Sequence, residues 1–416
     1  MHKRVILALV LVFALMMSTS CSLIIKDEAV DMATPVIEVA GQTVTKGEVK
    51  SLIEDIHDYN EQMYSYYGMA YDRTSDSAIA DAKEQAIQGL IESIVVDAKM
   101  TEYGFDSFTE EEMAEIEATA KEDYDLYYDT IKNFYFSGTE LTGEELEAAI
   151  QAEMLNMVGY NTLENAVEQI KYTKSQEKLV AELNKDVAVS EEELTTEYNA
   201  RVDSAKASYT AAAYTYGTAI VNGEMPYYAP EGYRNVKHIL LQFTAEDQTA
   251  ISEIETAIAN LAAGEDATEL NDKLAAAREQ AYANLQPKVD EITAKLAEGI
   301  DFETLIAEYN EDPGMNGETE GYPVCSTSVD WVVEFKDASM ALANVGDVSG
   351  AVRSEYGIHF IKYQSDIASG EIGLETVREA LTAELLSAKE SSNVDTILAQ
   401  WVEEANAKVN EKELNK

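Results

Sequence analysis

The spacing of apolar positions changes several times along the chain, and each change predicts an element boundary. In "TPVIEVAGQTVTKGEVKSLIEDI", from Thr34, two short β stretches lie on either side of Gly41-Gln42, and a helical spacing follows. Thr45 with Glu48 three residues on is a capping box that opens this helix. The same pairing recurs at Thr109/Glu112, Thr142/Glu145 and Ser190/Glu193, each heading a Glu-rich segment with apolar residues at helical spacing. Residues 45 to about 205 are therefore expected to be mainly helical.

Two aromatic clusters interrupt this pattern. Tyr59, Tyr64, Tyr66, Tyr67 and Tyr71 sit with Met63 and Met69, and Tyr124, Tyr127, Tyr128, Phe134, Tyr135 and Phe136 form the second. Ordinary core packing of amphipathic helices accounts for both. That is the favoured reading, and the alternative is an aromatic and methionine surface that adapts to unfolded chains.

Between about 205 and 233 no single period holds, and "YTAAAYTYGTAIVNGEMPYYAPEGY" reads as an irregular connection. At Asn235 the chain switches to a compact apolar run, "NVKHILLQF". Residues 244–299 return to helical spacing. Within them "LAAGEDATEL" (261–270) shares five of ten positions with "LAEGIDFETL" (296–305), which suggests a local duplication forming a helical excursion. A second β-branched run, "YGIHFIKY", spans 356–363, and a last helical segment places Trp401, Val402, Ala405 and Val409 on one side. An apolar face bearing a Trp is expected to dock rather than stay in water.

The N-terminus changes the picture of compartment. Lys3 and Arg4 precede an apolar run from Val5 to Met17, and small residues lead to Cys21. The run is short for a membrane span and fits a secretory signal at 1–20, with 21–33 as a tether. The formal net charge of −48 disfavours nucleic acid and anionic lipid headgroups as partners. The only other cysteine, Cys325, has no disulfide partner and is expected to be a small semi-buried side chain. No zinc, EF-hand, P-loop or dinucleotide motif occurs, so neither metal nor cofactor is expected.

Of four histidines, His238 and His359 each fall in a β-branched run, whereas His57 lies on a predicted helix and needs no function. Around the first two, "VKHILLQF", "DFETLIAEYNEDPGMNGETEGY" and "FKDASMALANVGDVSGAVRSEYGIHFIKY" resemble, in order, the three signature blocks of parvulin peptidyl-prolyl isomerases. The signal segment, the N-terminal hairpin and helix, and the C-terminal helix are similar in layout to the PrsA/SurA class of extracytoplasmic foldases. The Ser18-Thr19-Ser20-Cys21 stretch resembles a lipobox, which implies acylation of Cys21, although Ser18 replaces the usual leucine.

The resemblance implies an α+β fold: a mainly helical chaperone domain (34–233) completed by a C-terminal helix (367–416). A parvulin-like domain (234–366), a small antiparallel sheet flanked by helices, is inserted between them. It also implies a hydrogen-bonded pair of His238 and His359, Asp312 beside the substrate carbonyl, and Phe335 as a wall of the proline pocket. Three further substrate-binding positions depart from the family pattern: Trp331 replaces a Met, Glu320 replaces a Leu, and Tyr356 replaces a small polar residue. Asp312 before Pro313-Gly314 reads independently as a turn residue. The interval after the first strand, "TAEDQTAISEIE", lacks the basic cluster that phosphate-preferring parvulins carry.

X-Pro isomerisation needs no nucleophile. Binding the twisted amide better than the planar one lowers an intrinsic barrier of roughly 18–20 kcal/mol. The implied function is a prolyl isomerase and foldase for secreted chains, anchored as a lipoprotein on the outer face of the bacterial cell membrane. The alternative is a weak or inactive parvulin-fold holdase. The implied partners are unfolded or newly secreted polypeptides and the membrane through the lipid, with pairing of two copies left open.

Overall fold

The computed structural model describes residues 28–262, 265–315 and 320–415. The signal segment 1–20, Cys21 and the first part of the tether lie outside the described residues. The chain divides into two compact units, one formed by residues up to Ala188 with Leu386 onward, the other by Val189–Leu385.

In the first unit a five-residue helix, α1 (Glu28–Met32), leads into a hairpin of β1 (Pro35–Val39) and β2 (Gln42–Thr45). Its turn is Ala40-Gly41, both at positive φ, the backbone that matches the twist of paired strands. The helices are α2 (Lys46–Tyr66), α3 (Asp76–Tyr103), α4 (Glu110–Tyr135), α5 (Gly143–Val158) and α6 (Leu163–Asn184). Capping boxes form at Thr45 and Thr109. Thr142 makes no side-chain cap, because Gly143 at the first helical position has φ 60° and turns the backbone out of the geometry that a hydroxyl can bridge.

The aromatic clusters split between the two readings. Tyr124, Tyr128 and Phe136 pack on a core of Ala120, Ile131, Ile150, Met154, Tyr160 and Ala166. Tyr59, Tyr64, Tyr66, Tyr67 and Met69 are exposed, as are Tyr127, Phe134 and Tyr135, with Tyr66 at 82% and Phe134 at 78%. Core packing therefore accounts for only part of them. His57 is buried and shares a 2.8 Å hydrogen bond between Nδ1 and the Tyr71 hydroxyl.

The second unit opens with α7 (Glu191–Ala211), capped by the Ser190/Glu193 box, and α8 (Tyr214–Val221). The stretch expected to be irregular is thus partly helical. Packing rather than periodicity orders it: Tyr233 stacks edge-on to Tyr216 at 4.8 Å, accepts from the Gly217 N–H and donates to the Ala213 carbonyl. Next come β3 (Tyr228–Ala229), β4 (Arg234–Gln242), α9 (Ala245–Ala259), α10 (Thr268–Ala297) and α11 (Phe302–Tyr309). They are followed by β5 (Tyr322–Val324), α12 (Val333–Ala341), β6 (Val352–Ser354), β7 (Gly357–Asp366) and β8 (Gly370–Glu371), which pairs with β3.

The main sheet is antiparallel in the order β5-β4-β7-β6. Because side chains alternate, Ile239, Leu241, Ile358 and Phe360 share one face, while Val236, His238, Leu240, His359 and Ile361 share the other. The first face packs on Ala281, Leu285, Val289 and Ile292 of α10 and on Phe302 and Leu305 of α11. The segment read as a helical excursion therefore supplies a wall of the domain core, each fully buried aliphatic side chain contributing roughly 1.5–3 kcal/mol. In both copies of the repeated ten residues an aspartate stands just before a helix. Asp266 and Asp301, equivalent in the repeat, each accept from the backbone N–H two residues on, at 2.9 and 3.2 Å.

Gly357 starts β7 at φ 142°, and a Cβ there would lie 2.0 Å from the Leu241 carbonyl oxygen, so only glycine fits. Beyond β8, α13 (Leu374–Ala405) crosses the division at Leu385/Leu386. Trp401, Val402, Ala405 and Val409 pack on the hairpin core of Val36, Ile37, Val39 and Val44. β9 (Lys408–Val409) pairs antiparallel with β1, and α14 (Glu411–Leu414) buries Leu414 in the same core. The C-terminal segment thus completes the helical unit. Among the described residues no helix is long and apolar enough to cross a membrane.

Candidate active site

The register of β4 against β7 decides the centre of the second sheet face. His238 opposes Ile361 and His359 opposes Leu240, so the two imidazoles are diagonal neighbours. Their Nδ1 atoms lie 3.1 Å apart, the rings are stacked at 15°, and each residue is 4% exposed.

Asp312 is brought to this pair by a tightly held loop after α11. Asn310 Oδ1 accepts from the N–H groups of Leu240 (3.0 Å) and Asp312 (3.1 Å), its amide donates to the Asp312 carbonyl (2.7 Å), and the Glu311 N–H donates to the Leu240 carbonyl (2.9 Å). The loop is therefore tied to β4. The Asp312 carboxylate then accepts from His238 Nε2 (2.7 Å), the Tyr322 hydroxyl (2.6 Å) and the Gly314 N–H (3.0 Å). Asp312 is both a turn residue and a member of the histidine cluster.

Burial pushes the Asp312 carboxyl up, but hydrogen bonds from His238, Tyr322 and Gly314 outweigh it and hold the group down at about 2. Burial, reinforced by the Asp312 charge, pushes the Tyr322 phenol well above its usual range, so it stays protonated and donates. At the other end burial, with repulsion from charge on His238, pushes His359 down to about 3. The proton arrangement follows from these states. An ionised Asp312 only accepts, so His238 donates from Nε2 and, when neutral, accepts at Nδ1 from the His359 Nδ1–H. His359 Nε2 is left to accept from the Ser354 hydroxyl at 2.6 Å, and Ser354 Oγ itself accepts from the Tyr356 N–H at 3.2 Å. A single chain of hydrogen bonds runs Ser354, His359, His238, Asp312, with Tyr322 closing its far end.

Phe335, from α12, lies edge-on to both imidazoles at 5.0 and 5.4 Å and is 2% exposed. Trp331 stacks on Tyr322 at 4.5 Å, stands 5.8 Å from Phe335 and donates from its indole nitrogen to the Pro323 carbonyl (3.0 Å). The structure thus brings His238, His359, Asp312, Phe335 and Trp331 together. Glu320 is exposed, two residues before Tyr322, and Tyr356 is 57% exposed, with its backbone rather than its ring reaching the network. Cys325 is buried in a separate cluster with Tyr216, Ala229 and Tyr233.

Asn310, Tyr322 and Ser354 were not singled out from the sequence. Ser354 is on β6, paired with β7 through Gly357, and Tyr322 is on β5, paired with Val236; the proximity of both is set by strand pairing. The Asn310-x-Asp312 spacing is the one local signal, an Asx-type turn that fixes the carboxylate.

A four-stranded antiparallel sheet carrying two central histidines beside an aspartate and a phenylalanine, with helices on both faces, defines a parvulin-type peptidyl-prolyl isomerase domain. Residues 228–366 match the family of PPIC-type PPIase domains. Over 99% of its length the chain is 23% identical to the foldase protein PrsA of Clostridium acetobutylicum, covering 98% of that protein. It is 31% identical over 131 residues to foldase protein PrsA 2 of Listeria innocua, which is 30% of this chain and 43% of that protein. Among solved structures, the foldase protein PrsA from Streptococcus pneumoniae is 15% identical, aligned over 91% of this chain and 97% of that one, with a TM-score of 0.30.

Proposed function

We propose that the protein is an extracytoplasmic foldase that accelerates cis/trans isomerisation of X-Pro bonds in secreted chains and binds unfolded polypeptide, held at the membrane by a lipid on Cys21. The observation that carries this reading is the hydrogen-bond chain from Ser354 to Asp312 with Phe335 laid across its two imidazoles. Rotation about the X-Pro bond removes amide resonance, leaving a more basic nitrogen and a carbonyl that has lost its partial negative charge. A carboxylate held ionised beside that carbonyl disfavours the planar, charge-separated amide relative to the twisted one. The apolar ring of Phe335 holds the pyrrolidine, and the fixed imidazoles keep Asp312 in place without reorganisation. His238, His359, Asp312 and Phe335 are the residues assigned to the site, with Glu320 and Tyr356 at its solvent edge.

The holdase reading rests on different observations: the near-complete burial of Phe335 and the exposed aromatic side chains of α2 and α4. One experiment separates the two. The full chain is assayed both for prolyl exchange on an Ala-Pro peptide and for suppression of aggregation by an unfolded protein without proline. Acceleration of exchange supports the isomerase; suppression alone, from a folded chain, assigns the protein as a holdase.

A further inference from the structure

We infer that Trp331 is a gate over the proline-binding ring of Phe335, so that the site of the folded protein rests closed and opens when this one side chain swings away. The inference rests on the isomerase reading. A prolyl ring can reach the Phe335 ring only if one of the groups packed on it leaves, because Phe335 is 2% exposed. Its ring neighbours are His238, His359 and Trp331, and the aliphatic side chains of its cluster sit on the four strands of the sheet, on α12 or at the ends of that helix. The two histidines sit on the central strands, are 4% exposed and are tied at both ring nitrogens. Neither can leave without breaking the sheet face.

Trp331 differs in every respect. It lies outside helix and strand, between β5 and α12, and is only partly buried. Its hold on the domain is one hydrogen bond to the Pro323 carbonyl, the stack on Tyr322 and its contact with the Phe335 cluster. The backbone beneath it is anchored: the Asp330 carboxylate accepts from Thr218 Oγ1 at 2.8 Å, and the Cys325 N–H donates to Ser328 Oγ at 2.9 Å. With the loop base fixed, the indole is the moving part. Val329 and Val333, 65% and 59% exposed, flank it and offer an apolar rim to the chain that displaces it.

A site that is mostly closed binds with an apparent affinity reduced by its open fraction, while turnover of the bound state is unaffected. Trp331→Leu in the full chain is expected to lower KM for an Ala-Pro peptide by roughly threefold or more with kcat held. In a Trp401→Phe chain, where Trp331 is the only tryptophan, acrylamide quenching of the indole should rise at saturating peptide. This second readout does not depend on the folding of the leucine variant. An active wild type whose Trp331→Leu variant has an unchanged or higher KM, or whose indole quenching is unchanged by peptide, makes Trp331 a permanent wall and overturns the gate alone. If wild type and variant both fold and neither accelerates exchange, the isomerase reading falls and the gate falls with it.

Discussion

Acidification should destabilise the isomerase domain through His359 before it touches the carboxylates. The imidazole takes up a proton near 6.5 when the chain is unfolded but only near 3 in the folded domain, where burial and charge on the facing His238 oppose it. The unfolded state therefore binds more protons between these values, and stability falls as pH drops through that window. The loss equals RT ln[(1+10^(6.5−pH))/(1+10^(3−pH))], about 2 kcal/mol at pH 5 and about 3 kcal/mol at pH 4 relative to pH 8. Asp312, held at about 2 against 3.8, contributes stability that is present above 3.8 and lost as pH falls through 2, so it adds little at pH 5. The assay is urea unfolding of the Trp401→Phe chain at pH 8, 6.5 and 5, followed by Trp331 fluorescence, with and without His359→Gln. A loss of about 2 kcal/mol corresponds to a midpoint shift of roughly 1 M urea. The variant starts less stable, so the difference in pH slope is what is read. Parallel slopes with and without His359→Gln would refute the account of this histidine as buried and neutral.

Two packing predictions follow from the fold. Gly357→Ala forces a Cβ to 2.0 Å from the Leu241 carbonyl oxygen at φ 142°, and should cost at least about 2–3 kcal/mol in denaturant unfolding; a change under 0.5 kcal/mol would contradict the register at the start of β7. Trp401→Ala removes a partly buried ring from the hairpin core and the contact with Tyr103. It should destabilise the first unit by about 2–3 kcal/mol while leaving prolyl exchange unchanged; an equal loss of exchange activity would contradict the assignment of this residue to the helical unit alone.

The parts of the fold readable in the sequence were those written in local period and chain order. The hairpin around Gly41 and the boxes at Thr45, Thr109 and Ser190 depend on residues within ten positions of one another, and each forms. Thr142 shows the limit of that reading, since the same box is undone by one positive φ at Gly143. His238, His359, Asp312 and Phe335 were nameable because their blocks follow a family order, and the sheet brings them together. Tyr322 and Ser354 were not, because each reaches the cluster through pairing with a strand distant in sequence. The role of residues 281–292 as a wall of the core was hidden likewise, since periodicity shows an apolar helix face but not what covers it. Nor does a run of Tyr and Met declare its burial: Tyr128 packs inward while Tyr127, its neighbour, is exposed.

The central claim is that Asp312, held ionised by His238 and Tyr322, sits where a prolyl amide twists. Its most direct test is exchange spectroscopy on an Ala-Pro peptide with the full chain, comparing wild type with Asp312→Ala and confirming the fold of each by circular dichroism. The account predicts acceleration by wild type and a loss of at least about tenfold in kcat/KM, or about 1.4 kcal/mol of barrier, in the variant. A folded Asp312→Ala protein that retains the wild-type rate would contradict it.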